Sequence, residues 1–113
     1  MDIQLFSIKQ ERDKITQAYS PINLAMVDDF AIRLVKFQGE FERWHAHENE
    51  DESFLVLEGE ILFQTETGDF LLKAGEGIVI PKGLQHCPKA SETGDMPLAI
   101  IIERAETKRL GDE

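Results

Sequence analysis

The spacing of hydrophobic and polar positions changes character near residue 22. Before that point Ser7-Ile8-Lys9-Gln10 has the form of a capping box, a hydroxyl residue followed three places later by Gln. Ile8, Ile15 and Tyr19 fall roughly on one helical face, and Pro21 cannot continue a helix, so one short N-terminal helix is expected. After that point the period is two. Asn23–Val27 and Phe30–Gln38 are β-rich runs split by Asp28-Asp29, a turn signal. Glu40–His47 alternates, which places Phe41, Arg43, His45 and His47 on one face of a predicted strand. Phe54–Leu57 is apolar on both faces, the pattern of a strand covered on both sides. Gly59-Glu60 interrupts that run and Ile61–Phe63 resumes it. Thr65–Asp69 has the composition of a hairpin loop, with the return strand in Phe70–Leu72. Gly75-Glu76-Gly77 is a further turn before Ile78–Ile80, which runs into Pro81-Lys82-Gly83. The last strand lies in Pro97–Glu103, around the apolar run Leu98–Ile102, and a charged tail follows.

Eight or nine short strands, turns marked by Gly, Pro or Asp, and little helix predict an all-β fold, an antiparallel sandwich or barrel. Closure is favoured because a small protein with this many apolar strands would aggregate through open edges. Phe54, Val56, Ile61, Phe63, Phe70, Leu72 and Ile78 are the expected wall and core. No repeat, low-complexity tract or linker divides the chain, and 113 residues suit one domain.

Charge narrows the partners. With 12 Lys and Arg against 22 Asp and Glu, the formal charge is −10. Nucleic acid and anionic membranes both need a basic footprint, so neither is an expected partner. No apolar run approaches the length of a membrane span. The opening MDIQLFSIKQERD lacks the long apolar stretch of a signal peptide, and a single cysteine, Cys87, fits a reducing compartment. A cytoplasmic location is therefore expected.

The candidate chemistry lies in Arg43–Phe54, RWHAHENEDESF. Residues i and i+2 of a strand point the same way, so His45 and His47 can converge on one ion. Imidazole and carboxylate together suit divalent first-row metals, here Fe, Mn, Ni, Zn or Cu. For the carboxylate, Glu48 follows His47 directly and points to the other face, while Glu50 and Asp51 sit in a connecting loop. Glu52 opens the next apolar run, where a sheet backbone would fix its direction, so it leads on geometry; a bulge or a different turn would promote another acid. The third histidine, His86, lies 39 residues beyond His47 and follows Pro81-Lys82-Gly83. Taken alone, a His-x-His beside an acidic run is more often a solvated loop than a ligand set.

Spacing beyond the pair changes that balance. The segment Gly39-x5-His45-x-His47-x4-Glu52-x6-Gly59 resembles the first motif of the cupin superfamily, and Gly75-x5-Pro81-x-Gly83-x2-His86 resembles the second. DDFAIRLVKFQGEF, LVLEGE and IPKGLQHCPKA are similar to small single-domain cupins labelled as mannose-6-phosphate isomerase-like. The resemblance implies a six- to eight-stranded antiparallel barrel, a double-stranded β-helix or jelly roll. It implies one domain over residues 1–113: a helix and strand extension over about 1–38, a barrel core over about 39–103 and a charged tail over 104–113. It also implies that His45, His47, Glu52 and His86 bind one divalent metal whose remaining positions take water or substrate, and that the protein is a homodimer. Gly59, Gly75 and Gly83 stand where turns need positive φ or close backbone approach. One position departs: Ala90 stands where the second motif usually ends in Asn, which is not a ligand, so the metal set is untouched.

Around the ligands, Arg43 is a candidate anchor for a substrate carboxylate or enolate, or an arginine paired with one of the many acids. Trp44 falls on the opposite face, and Cys87 alternates away from His86, a small buried residue rather than a ligand. Two functions follow. One is a metal-dependent enzyme acting on a sugar or small acid, with isomerase or dioxygenase chemistry open to it. The other is a non-catalytic module that binds a small molecule or holds a structural metal. A polar group poised over the metal would separate them.

Overall fold

The computed structural model describes residues 2–112, and its architecture is two antiparallel sheets packed face to face as a jelly roll. The N-cap half of the capping box forms: the Ser7 hydroxyl accepts from the Gln10 backbone N–H at 3.1 Å and starts helix α1 (Ile8–Arg12). Only Ile8 of the three predicted face residues is helical, because Asp13 closes the helix after five residues. Ile15 nonetheless reaches the interior, where it packs with Leu34 and Leu98.

Strands β1 (Ile22–Val27) and β2 (Phe30–Lys36) form a hairpin across Asp28-Asp29, with Asp28 at φ 52° taking the left-handed turn position. Asp tolerates that region better than most residues. β2 pairs with β8 (Leu98–Arg104), β8 with β3 (Glu52–Glu58), and β3 with β6 (Gly77–Ile80), giving a five-stranded sheet ordered β1-β2-β8-β3-β6. The second sheet is β5-β4-β7, from β4 (Glu60–Thr65), β5 (Gly68–Lys73) and β7 (His86–Lys89). Between the sheets lies the core of Val35, Phe37, Phe54, Val56, Ile61, Phe63, Ile80, Ala99 and Ile101. Phe37, Phe54 and Phe63 meet there edge-on or tilted, with ring centroids 4.8–6.3 Å apart. Such geometry suits the ring quadrupoles. Gly59, Gly75 and Gly83 take φ of 74°, 89° and 84°, as their turns require.

Four expectations change. The predicted strand Glu40–His47 is not regular: it touches β7 only through isolated bridges, Glu40 with Lys89 and His45 with His86. Bends at Glu42-Arg43 break its alternation. In exchange, His86–Lys89 is a strand that its composition hides, since Pro88 lacks an N–H and is tolerated only at a sheet edge, where β7 lies. Phe70 is exposed on edge strand β5 and is not core. Finally, Phe54–Leu57 is covered on one face only, because Leu55 points outward and is exposed. Ladder hydrogen bonding does not run unbroken round the barrel, and the irregular segment 40–45 lies along the free edge of β7.

Candidate metal centre

Each of the four predicted ligands is placed by a backbone constraint. His45 and His86 exchange both bonds of an antiparallel bridge: His45 N–H donates to the His86 carbonyl at 3.0 Å, and His86 N–H to the His45 carbonyl at 2.8 Å. The Gly83 N–H donates to the His47 carbonyl at 2.9 Å, and the Lys82 N–H to Asp51 Oδ1 at 2.9 Å. The turn before His86 is thereby tied to the His45–Glu52 segment. Glu52 is the first residue of β3 and pairs with Ile80 on β6, so the sheet fixes its direction. One ligand atom from each of His45, His47, Glu52 and His86 lies within 4.8 Å of the others, and all four residues are buried.

Histidine tautomers are set from behind. The Nδ1–H of His86 donates to the Leu84 carbonyl at 2.9 Å and that of His45 to the Arg43 carbonyl at 3.2 Å. A carbonyl can only accept, so each Nδ1 carries the proton and each neutral ring keeps its Nε2 lone pair toward the cluster. His47 differs: both of its ring nitrogens are buried without a hydrogen-bond partner among the described residues. Its Nε2 stands 3.5 Å from Glu52 Oε1, near enough to feel the charge but poorly placed to bond. An orphaned buried imidazole is costly, and a cation accepting its lone pair satisfies one of the two nitrogens. The donor set, three nitrogens and a carboxylate, and this unsatisfied ring both fit a divalent first-row ion.

Ionisation follows the same geometry. Burial, helped by the neighbouring His86, lowers His45 to about 4 and keeps it neutral. Burial also acts to lower His47, but the Glu52 carboxylate outweighs it and the net shift is upward. Glu52 is pulled down against its own burial by His47, His86 and Glu103. Glu103, on β8, goes the other way: burial and the adjacent Glu52 carboxylate raise it, against the pull of Arg33. Two carboxyl groups in contact cannot both ionise in a buried site. Arg33 on β2 fixes Glu103, donating to its Oε2 at 3.1 Å.

Three of the four, His45, Glu52 and His86, line one wall of a cavity of about 300 Å³. Val35, Phe37, Phe54 and Ile101 make its apolar side, while Arg33, Glu103, Thr107 and Arg109 supply polar groups. Arg43 is not on this wall; the bend at Glu42-Arg43 turns it outward, exposed, while Phe41 and His45 face in. Glu48 is exposed, and Glu50 and Asp51 also lie outside the cluster of four. Cys87 is buried with its thiol on the Phe41 carbonyl at 3.4 Å, away from the ligands. The tail is closer to the site than its charge suggested. Asp112 N–H donates to the Ala46 carbonyl at 2.9 Å, and the Glu48 N–H to Asp112 Oδ2 at 2.8 Å.

Residues 34–102 match the family model described as the cupin domain, and they contain all four clustered residues. The chain is a cupin. YdbB of Bacillus subtilis is 33% identical to this cupin over 96 residues, covering 84% of this chain and 83% of that protein. The crystal structure of a cupin-2 domain containing protein from Shewanella frigidimarina superposes with a TM-score of 0.81 at 35% identity, covering 88% of this chain and 94% of that one. A structure from Silicibacter pomeroyi, described as a sugar phosphate isomerase from a cupin superfamily, shares the fold with a TM-score of 0.64 at 20% identity. It covers 74% of this cupin, which spans 57% of that chain.

Arg33, Glu103, Thr107, Arg109 and the tail were not singled out by sequence reasoning. For Arg33 and Glu103 a signal existed, since each shares its strand face with apolar residues, Ala31 and Val35 for Arg33, Ala99 and Ile101 for Glu103. Thr107 and Arg109 carry no such mark.

Proposed function

We propose that His45, His47, Glu52 and His86 hold one divalent metal ion, Fe, Mn, Ni, Zn or Cu, and that the cavity beside them receives a sugar or small acid. The observation that carries this reading is the convergence of the four ligand atoms within 4.8 Å, three of them from residues that line a 300 Å³ cavity. A bound ion would supply a positive centre that polarises a substrate oxygen or acidifies water. The protein's own groups favour proton transfer of the isomerase type. Glu103 is fixed by Arg33 on the cavity wall, with burial and Glu52 pushing it toward its acid form, so that it can pass a proton to a ligand and take one back. Val35, Phe37, Phe54 and Ile101 keep water from that exchange. Likeness in fold to a sugar phosphate isomerase points the same way.

Elemental analysis of tag-free protein from metal-replete cells tests the metal reading, with a His45→Ala/His86→Ala variant as comparison. The parent is expected near one ion per chain and the variant at least about tenfold lower, as loss of ligands implies. Equal metal in both would remove the site. For the reaction, metal-loaded protein is incubated in D2O with hydroxy-carbonyl sugars and small hydroxy acids. Deuterium next to the carbonyl, absent with Glu103→Gln, is the expected result. No exchange by the loaded parent on any substrate would favour the non-catalytic binding module.

We also infer that the working unit pairs two copies. Phe30, Ile32, Ile100, Ile102, Leu55 and Val79 share the outer face of the five-stranded sheet through the register of β2, β8, β3 and β6. Apolar faces of this extent mark interaction sites. These six side chains carry no charge, so two copies of a chain of charge −10 can meet there without setting acid against acid.

A further inference from the structure

The cavity has two cations in its wall, and they are not equivalent. Arg33 is engaged by all three of its nitrogens: Nε donates to Asn23 at 2.7 Å, one terminal nitrogen to Glu103 at 3.1 Å and the other to the Ala105 carbonyl at 2.7 Å. It holds Glu103 and has little left for a ligand. Arg109 is half-exposed at the rim. One of its terminal nitrogens faces Glu42 Oε1 at 2.8 Å and, at 3.5 Å, the Tyr19 carbonyl. Its Nε and second terminal nitrogen have no hydrogen-bond partner among the described residues. Since Glu42 is also more than half exposed, solvent screens that pair and a ligand anion can compete with it.

Position adds to this. The Arg109 guanidinium lies 5.5 Å over the Phe41 ring, and that ring stands 5.0 Å from the His45 imidazole, centroid to centroid. The aromatic contact keeps the planar fork from swinging freely into solvent, at a distance from the ligand cluster that a molecule of a few carbons spans. Two residues earlier, Thr107 also lines the cavity, and its hydroxyl oxygen is buried with no partner among the described residues. A buried hydroxyl without a partner is an unmet donor and acceptor.

We infer that Arg109 and Thr107 form an anion-binding rim, so that the cavity selects small organic molecules with a carboxylate or phosphate at the end away from the ligand cluster. This rests on the cavity being a ligand site as proposed above, and it deepens that reading by naming the substrate class. Guanidinium matches the planar oxygen pairs of carboxylate and phosphate, and the threonine hydroxyl donates to the same group. The overall charge of −10 repels anions at long range, so this local cation carries the selection at contact.

Binding of two matched pairs to full-length, metal-loaded protein tests it by calorimetry: succinate against succinamide, and glycerol 3-phosphate against glycerol. The charged member of at least one pair is expected to bind about tenfold tighter or better, a gap typical of one charge-assisted contact. Arg109→Gln should bring the two members within about twofold, Arg109→Lys should retain part of the preference, and Thr107→Val should weaken it. Lys108→Gln, an exposed neighbour, should change nothing beyond about twofold. Metal content, measured in every sample, separates the two readings: parent protein without metal removes the metal centre, whatever the anion preference. Metal-loaded parent with no charged preference, or a preference that survives Arg109→Gln intact, overturns the rim.

Discussion

At the residue scale the histidines are unequal, although the motif treats them alike. His45 is lowered to about 4 by burial and by His86, whereas His47 is raised because Glu52 outweighs its burial. In metal-free protein the consequence has a definite sign. Between about pH 6.5, the unfolded value, and about pH 4, an unfolded chain binds a proton at position 45 that the folded chain refuses. The contribution of His45 is therefore complete above pH 6.5 and is lost as pH falls toward 4. Glu103 and His47 shift upward and slope the other way, so the test is differential. Chelator-treated parent and His45→Gln are compared by urea unfolding at half-unit steps from pH 4 to 8. The parent should lose more stability than the variant on acidification; parallel curves would contradict a buried neutral His45. Sequence gave the identity of these residues but not this asymmetry, which depends on what lies behind each ring. Arg43 shows the same limit: alternation placed it beside His45, and one bend sent it outside.

At the element scale, the strands were legible wherever an apolar run was bounded by Gly, Pro or Asp turns, as in β2, β4 and β8. They were not legible where backbone bridges alone define the structure. Segment 40–45 and β7 hold each other through a few hydrogen bonds that no hydrophobic pattern records. The tail is the clearest case. RAETKRLGDE reads as solvated charge, yet Gly111 is buried against the ligand segment at φ 84°. A Cβ there would stand 2.7 Å from both the Ala46 carbonyl oxygen and His45 Cβ. Neither neighbour is the flexible end of a side chain, so Gly111→Ala must displace the tail or the His45–His47 segment. The expected outcome is metal affinity lowered about 10- to 100-fold, the range seen when groups supporting metal ligands are lost. Competition with a chromophoric chelator measures it, with thermal unfolding of the metal-free protein as a control for the fold. Unchanged affinity would show that the tail lies on the site without holding it.

At the scale of the whole molecule, one sheet face lines the core and cavity, while the other is covered by the N-terminal segment at Leu34 and Leu98 and left apolar and open at Phe30, Leu55, Val79 and Ile102. β3 and β8 read as covered on both sides, and in a single chain they are covered on one. Leu55, Val79, Ile102 and Phe30 are all exposed on that outer face. Monomers rarely leave such a surface wet, and both the patterning and the structure acquire a common explanation if a second copy covers it. A two-fold contact presents every residue twice, so Leu55→Glu/Val79→Glu buries four carboxylates where four apolar side chains had met. Each apolar group contributes about 1.5–3 kcal/mol when fully buried, and an unpaired buried charge adds a further penalty. Light scattering at micromolar concentration should give the parent a mass near twice 12.9 kDa and the variant a mass near 12.9 kDa. The substituted residues lie on the face opposite the cavity, so the variant should keep its metal. A parent that scatters as a monomer would leave the apolar face to another partner. Loss of metal together with dimer would mean that pairing supports the site through the β3 backbone that carries Glu52.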